Sequence, residues 1–210
     1  MTPCTDRSLP EPTAMSRRGE LREARRAVPG GERDRAAGRV ADHVRDSELI
    51  AAGDVVGLYL ADDGELDTTP LLDVVTIAGA SVALPVVQAG TAMTFRTWTP
   101  GSGLTEGRYG IPVPVAGEVV PPFALDVVVV PCVAFDRLGH RLGRGAGYYD
   151  RAFAARRRVG PPPLLVGVGF DCQLVGHLAA ADHDVDLDVV VTPTALRWAA
   201  SEPPGAGQYA

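Results

Sequence analysis

Lysine is absent from this chain of 210 residues: all 20 of its basic side chains are arginine. That excludes Schiff-base chemistry, the kinase strand lysine and the Gly-Lys-Ser/Thr phosphate loop. Any anion the protein holds must be met by arginine, by backbone N–H groups or by a metal. Cysteine is scarce, three residues scattered as Cys4, Cys132 and Cys172, too few and too scattered for a disulfide framework or a zinc site. No run approaches 18 apolar residues, so no transmembrane helix is expected, and the first twenty residues lack the apolar core of a secretory signal. A cytoplasmic, monomeric protein without membrane or nucleic-acid partners is the expectation.

The charge is uneven. The formal net charge is -6, yet residues 1–45 hold 10 Arg against 7 Asp and Glu, and residues 136–158 hold 7 Arg against 2 Asp. Two basic islands in an acidic chain do not make the broad basic face of a nonspecific nucleic-acid binder, but they suit a small polyanion.

Residues 1–15 lack periodicity and read as a disordered leader, and residues 199–210 as a flexible tail, leaving 16–198 as one domain. A basic helix is expected from Arg17 to Val28, interrupted by Pro29-Gly30-Gly31, and a second from Glu32 to about Ala52 with Gly53 as its cap. Apolar, β-branched runs at 54–60, 81–87, 126–131, 164–170 and 188–192 read as buried strands, and 91–98 as an alternating one. A helix is expected from Thr69 to Ala80 with Pro70 in its first turn, and another from about Gly147 to Arg158. Residues 99–122 read as loop. Strands alternating with helices predict an α/β fold: a three-layer αβα sandwich whose mostly parallel sheet has helices on both faces. Ligands then bind beyond the carboxyl ends of the strands, which points to the loops after Leu60 and Pro131.

The second of those loops carries Arg141-Leu142-Gly143-Arg144-Gly145-Ala146-Gly147-Tyr148-Tyr149-Asp150. Alternate glycines before a helix let consecutive N–H groups converge on one anion, and Arg141 and Arg144 add forked donors. The spacing is not the dinucleotide fingerprint. Asp150, one turn in, is placed to hold a hydrated Mg²⁺. The alternating acids of 182–188 lack the central glycine and terminal glutamate of a calcium hand. His177 and His183 have no metal-ligand spacing with any cysteine, and Cys132 and Cys172 read as small buried side chains.

The stretch FDRLGHRLGRGAGYYDR (135–151) resembles the signature of the 5-formyltetrahydrofolate cyclo-ligase family, also called 5,10-methenyltetrahydrofolate synthetases. Asp63-Gly64-Glu65-Leu66-Asp67-Thr68, Asp171-Cys172-Gln173-Leu174-Val175, Val190-Val191-Thr192-Pro193 and the Leu21-Arg22 helix are similar to family segments in the same order. The resemblance spans roughly residues 17–198. It implies ATP- and Mg²⁺-dependent cyclisation of 5-formyltetrahydrofolate, with or without a polyglutamate tail, to 5,10-methenyltetrahydrofolate, with release of ADP and phosphate. It further implies that Arg141, Leu142, Gly143, Arg144, Gly145, Ala146, Gly147, Tyr148 and Tyr149 wrap the ATP phosphates. Arg144, Gly145, Ala146, Gly147 and Tyr148 would border the formyl group, with Arg144 and Tyr148 catalytic. Leu60 and Glu65 would meet the folate, and Asp150 and Asp184 the metal. The family commonly has a lysine near the start of the first helix; Arg18 falls there in one register, whereas sliding by four residues makes Arg18 the family arginine. Arg18 and Arg22 are both ATP-contact candidates. Ala146 stands where glycine or lysine is usual, which requires a negative φ. Two other readings predict different behaviour: a sugar-phosphate isomerase-like relative would need no nucleotide, and a folate- or nucleotide-binding paralogue would bind without turnover.

Overall fold

A computed structural model describes residues 14–87 and 92–199, with side chains from residue 17 onward. The expected leader and tail fall almost wholly outside the described residues.

In chain order the strands are β1 (Val55–Gly57), β2 (Ser81–Val87), β3 (Met93–Trp98), β4 (Leu104–Glu106), β5 (Pro112–Pro114), β6 (Val119–Val120), β7 (Val127–Pro131), β8 (Ala134–Phe135), β9 (Arg141–Leu142), β10 (Leu164–Val168), β11 (Val189–Thr192) and β12 (Ala195–Trp198). The helices are α1 (Ala14–Arg26), α2 (Gly30–Asp46), α3 (Thr69–Ile77), α4 (Tyr148–Ala152) and α5 (Arg156–Val159). Eight strands form the main sheet in the order β12-β11-β10-β7-β1-β2-β3-β6. The five central strands, β11 through β2, run parallel, and the antiparallel pairings β2–β3, β3–β6 and β11–β12 complete the two edges.

The run Val127–Val130 shows why such strands read as continuously apolar. Val127 and Val129 join the core layer under α2 and α3, while Val128 and Val130 join the opposite layer, because successive side chains of a strand point to opposite faces. Ala36, Val40 and Val44 give α2 its buried stripe at helical spacing. On the other face Phe153, at the end of α4, packs with Phe95, Leu165 and Leu187. The mixed, mostly parallel αβα layout is as expected from the sequence.

Several boundaries differ. The second helix ends at Asp46, not near 52, because Glu48 takes a positive φ of 54°. Gly53, with φ 91°, serves the turn into β1, its N–H donating to Gly79 O at 3.0 Å. The helix expected over 147–158 is two short pieces, parted where Phe153 leaves helical geometry (φ −108°, ψ 16°) and is buried. β4 and β5 pair as a hairpin within the stretch read as loop, and β12 is an additional edge strand.

The chain leaves β1 toward β2 on one side and later places β7 on the other side of β1. That reversal opens a crevice at the carboxyl ends of β1 and β7. It is the position at which the loops after Leu60 and Pro131 meet.

Candidate active site

The glycine turn is anchored at both ends before any ligand is considered. Antiparallel β8 and β9 form its stem, and the stem's own turn is fastened by Asp136, whose Oδ1 accepts N–H bonds from Leu138 (2.9 Å) and His140 (3.0 Å). Within the turn, Gly145 (φ 103°) and Gly147 (φ 65°) occupy backbone regions that side chains with a Cβ rarely adopt. Ala146 does not have a positive φ, so the sterics that its replacement of glycine raised are satisfied. The helix after the turn is only five residues long, which leaves little macrodipole to aid an anion; the arginines and turn amides must supply the field.

Both bracketing arginines are engaged by carboxylates. Arg141 donates from Nε to Val185 O at 3.1 Å and pairs with Asp150. Arg144 reaches across the crevice: Nη1 donates to Asp62 Oδ2 at 3.0 Å, Nη2 to Asp62 O at 3.1 Å, and Nη2 lies 3.0 Å from Glu65 Oε1. One guanidinium thus joins the glycine turn to the loop after β1. Arg18 on α1 closes the third side, its Nε donating to Gly143 O at 3.0 Å.

The loop after β1 is held from within and from α1. Tyr59 donates its hydroxyl to Leu66 O at 3.0 Å, and Asp62 N–H donates to Glu65 Oε2 at 3.2 Å. Burial raises the Glu65 carboxyl above the ordinary glutamate range, opposed by the charges of Arg144 and Arg25. Asp63 gathers Arg22 (2.7 Å), Arg25 (3.0 Å) and Arg26. Burial pushes its carboxyl up, but hydrogen bonds from Arg26 and Arg22 outweigh that and hold it at about 2. Arg25 is fully buried, donating also to Cys132 O at 3.2 Å and Asp63 O at 2.8 Å. Burial pushes the Cys132 thiol up to about 12, so it is no nucleophile at neutral pH.

Between these loops lies a cavity of about 870 Å³, a volume suited to sizeable organic ligands. Its lining includes Arg18, Leu60, Glu65, Asp184 and the whole run Arg141 through Asp150. Every site residue singled out in the sequence is therefore brought to one place except Arg22, which is turned away into its pair with Asp63. Arg18, a contact candidate in both registers of α1, lines the cavity.

The sequence reading missed the wall opposite. Tyr109, Ile111, Pro112 and Val113 of the β4–β5 hairpin, with Met93 of β3, line the same cavity. Tyr109 Oη lies 3.0 Å from Tyr148 Oη, bridging hairpin and glycine turn. The signal available was an aromatic set in the Gly- and Pro-rich stretch RYGIP; its strand pairing was not readable from three-residue strands. Arg25 was missed too, since nothing in its spacing separates it from neighbouring exposed arginines.

The metal candidates have oxygen donors of the hard kind that Mg²⁺ takes, and Mg²⁺ needs only one or two carboxylates because it keeps several waters. Asp150 and Asp184 both line the cavity, and Val185 N–H donates to Asp150 Oδ1 at 3.2 Å, drawing the two segments together. Asp150 Oδ2 lies 3.9 Å from where a Cβ on Gly147 would sit, at the foot of the turn. The residues fit the ion.

Comparison with known proteins gives the family and the fold. Residues 11–193 match the model of the 5-formyltetrahydrofolate cyclo-ligase family. The Escherichia coli (strain K12) 5-formyltetrahydrofolate cyclo-ligase is 35% identical over 178 residues, covering 83% of this chain and 97% of the relative. The Mycolicibacterium smegmatis enzyme of the same name is 31% identical over 189 residues, covering 84% and 91%. The solution structure of Aquifex aeolicus 5,10-methenyltetrahydrofolate synthetase superposes with a TM-score of 0.73 at 31% identity, covering 92% of this chain and 97% of that one. A Mycoplasma pneumoniae 5,10-methenyltetrahydrofolate synthetase shares the fold, with a TM-score of 0.66 at 20% identity.

Proposed function

The chain belongs to the 5-formyltetrahydrofolate cyclo-ligase family, a family of ligases, and from that premise we propose that it closes 5-formyltetrahydrofolate to 5,10-methenyltetrahydrofolate at the expense of ATP. The observation that carries this reading is Arg144, which links a glycine turn suited to phosphates and a buried glutamate suited to a polar heterocycle across one cavity.

The chemistry follows from a poor leaving group. The formyl oxygen attacks the γ-phosphorus and the bond to the ADP oxygen breaks, leaving an imidate-like phosphate. N10 then attacks the formyl carbon, phosphate departs with that oxygen, and the N10 proton passes to solvent. The protein's work is positioning and charge neutralisation. Turn amides from Gly143 to Gly147, together with Arg18, Arg141 and Arg144, would hold the phosphates, the arginines exchanging carboxylate partners for phosphate oxygens. Glu65 would accept from the pterin N–H groups, and Leu60 would pack on its ring. Tyr148 would hydrogen-bond the formyl region, and the β4–β5 hairpin, tied to the turn by the Tyr109–Tyr148 contact, would exclude water from the ligands. Asp150, with Asp184 from the adjoining segment, would hold Mg²⁺, which when bound offsets the phosphate charge. Action as a cytoplasmic monomer, on folates with or without a polyglutamate tail, belongs to the same reading.

The test is spectroscopic. Mixing the protein with 5-formyltetrahydrofolate, ATP and Mg²⁺ should produce the methenyl-folate absorbance, and omitting ATP should abolish it. Binding of folate without that signal would instead identify a paralogue that has lost turnover. Signal independent of ATP would overturn the proposed phosphoryl step.

A further inference from the structure

Outside the cavity, Asp136, His140 and His177 bring one donor atom each to within 4.8 Å of one another. None of the three lines the cavity. Asp136 directly follows β8, His140 precedes β9, and His177 lies far along the chain after β10. Two backbone links hold these segments in place: Val175 N–H donates to Phe135 O at 2.9 Å, and Phe135 bridges to Leu174. We propose that Asp136, His140 and His177 form a binding site for a borderline-soft divalent transition-metal ion, with zinc as its test case.

The donor geometry is already set. Asp136 has a side chain only 1% exposed. Its Oδ1 is held by the Leu138 and His140 amides, and its Oδ2 accepts Leu178 N–H at 2.9 Å. Oδ2 also lies 2.9 Å from His140 Nδ1 and 3.7 Å from His177 Nδ1. Ligand atoms at zinc bond lengths and tetrahedral angles sit about 3.4 Å apart, a separation that these two distances bracket. A carboxylate oxygen has two lone pairs, so one remains with Leu178 while the other, now shared with His140, can turn to an ion. To ligate, His140 offers Nδ1 as a lone-pair donor with its ring proton on Nε2. The two rings stand edge to face, 79° apart with centroids 5.9 Å from each other, and His177 is 71% exposed, which leaves an open coordination position toward solvent.

The ligand set decides the class of ion. Two imidazoles and one carboxylate suit zinc and its neighbours, whereas Mg²⁺ and Ca²⁺ take oxygen. The role follows from the position. His140 is followed directly by Arg141, so an ion here would pin the stem of the glycine turn to the segment after β10. The site does not depend on the proposed reaction.

Isothermal titration of the full, tag-free chain with Zn²⁺ provides the test. One ion should bind per chain, raise the melting temperature and resist competition by excess Mg²⁺. His177→Ala, a change at an exposed side chain, should leave the metal-free melting temperature unchanged, weaken zinc affinity roughly tenfold or more, and remove the zinc-dependent thermal shift. Cys172→Ser should change neither. Anomalous scattering from a zinc-soaked crystal should place the ion between the three side chains. Equal affinity in His177→Ala, dependence on Cys172, or scattering located elsewhere would each overturn the proposal.

Discussion

Arg144 spans two loops that are about eighty residues apart in sequence, so its loss is felt at both ends of the cavity. Its guanidinium is one of two that oppose the burial of Glu65; the other, Arg25 Nη1, lies at 3.8 Å. Arg144→Ala should lower kcat/KM by about 30- to 100-fold, the worth of a charged hydrogen bond or two. It should also push the Glu65 carboxyl further up. Because protonation turns one Glu65 oxygen into a donor and removes the charge that favours accepting from the pterin, activity should fall off at a higher pH in the variant than in the parent when pH is lowered; pH profiles of kcat/KM check both effects. The glycines of the turn separate cleanly on backbone grounds. A Cβ on Gly145 meets no atom closer than Arg18 Nη1 at 3.8 Å, yet φ there is 103°. Gly145→Ala should therefore cost about 1–3 kcal/mol through strain alone. Gly143→Ala has no positive φ and makes an ordinary contact, 3.5 Å from Arg141 Nη1, so its melting temperature should stay close to the parent's. Equal melting temperatures for the two variants would show that the turn relaxes freely. The motif told which residues form this turn, but not which glycine is structurally indispensable, because φ is set by the tertiary path of the chain.

The element that most depends on long-range partners is α1. Arg22, Arg25 and Arg26 all converge on Asp63, and Arg25 is buried without water to screen it. Asp63→Asn would leave that buried guanidinium with Glu65 at 3.8 Å as its nearest remaining carboxylate. Breaking one side of a buried pair costs about 3–5 kcal/mol, read as a shift of the denaturant midpoint at unchanged slope. The pH dependence has a definite sign. The folded carboxyl sits at about 2, below its ordinary 3.8, so its stabilising contribution is complete above the unfolded value and is lost as pH falls from about 4 toward 2. Asp63→Asn should flatten the stability curve within that window. The sequence marked α1 as a basic helix and placed an arginine of it at ATP, but it left two registers open. That Arg18 lines the cavity and Arg22 does not depends on Asp63, far along the chain, which pairs with Arg22. Element existence was legible wherever apolar periodicity ran for a full strand or helix, as in β7 and α2. It was not legible in β4, β5 and β12, which are no shorter than β1 and β11 but lie in no continuous apolar, β-branched run and are strands only because a partner pairs with them.

At the scale of the molecule, the sheet's reversal between β1 and β7 gathers segments distant in the chain around one cavity. The motifs pointed to α1, the loop after β1, the glycine turn and the acidic segment with Asp184, because each has distinctive residues; the β4–β5 hairpin contributes aromatic and apolar contacts that carry no local signature. A site assembled this way should couple ligand binding to global stability, since the nucleotide would bridge α1, the turn and Asp150 only in the folded chain. At a concentration 100 times its dissociation constant, a ligand adds about 2.7 kcal/mol. For a chain of this size that corresponds to roughly 5–10 °C in melting temperature. ATP with Mg²⁺ should therefore raise the melting temperature by that amount, and ATP alone by less. Asp150→Asn also releases Arg141 from its ion pair, so its own melting temperature is the baseline for comparison. In that variant the increment from ATP alone should survive while the extra increment from Mg²⁺ disappears. A Mg²⁺ increment that persists in Asp150→Asn would move the ion to other oxygens of the cavity, Asp184 among them. A chain that melts at the same temperature at millimolar ATP and Mg²⁺ as without them would remove the glycine turn from nucleotide binding altogether.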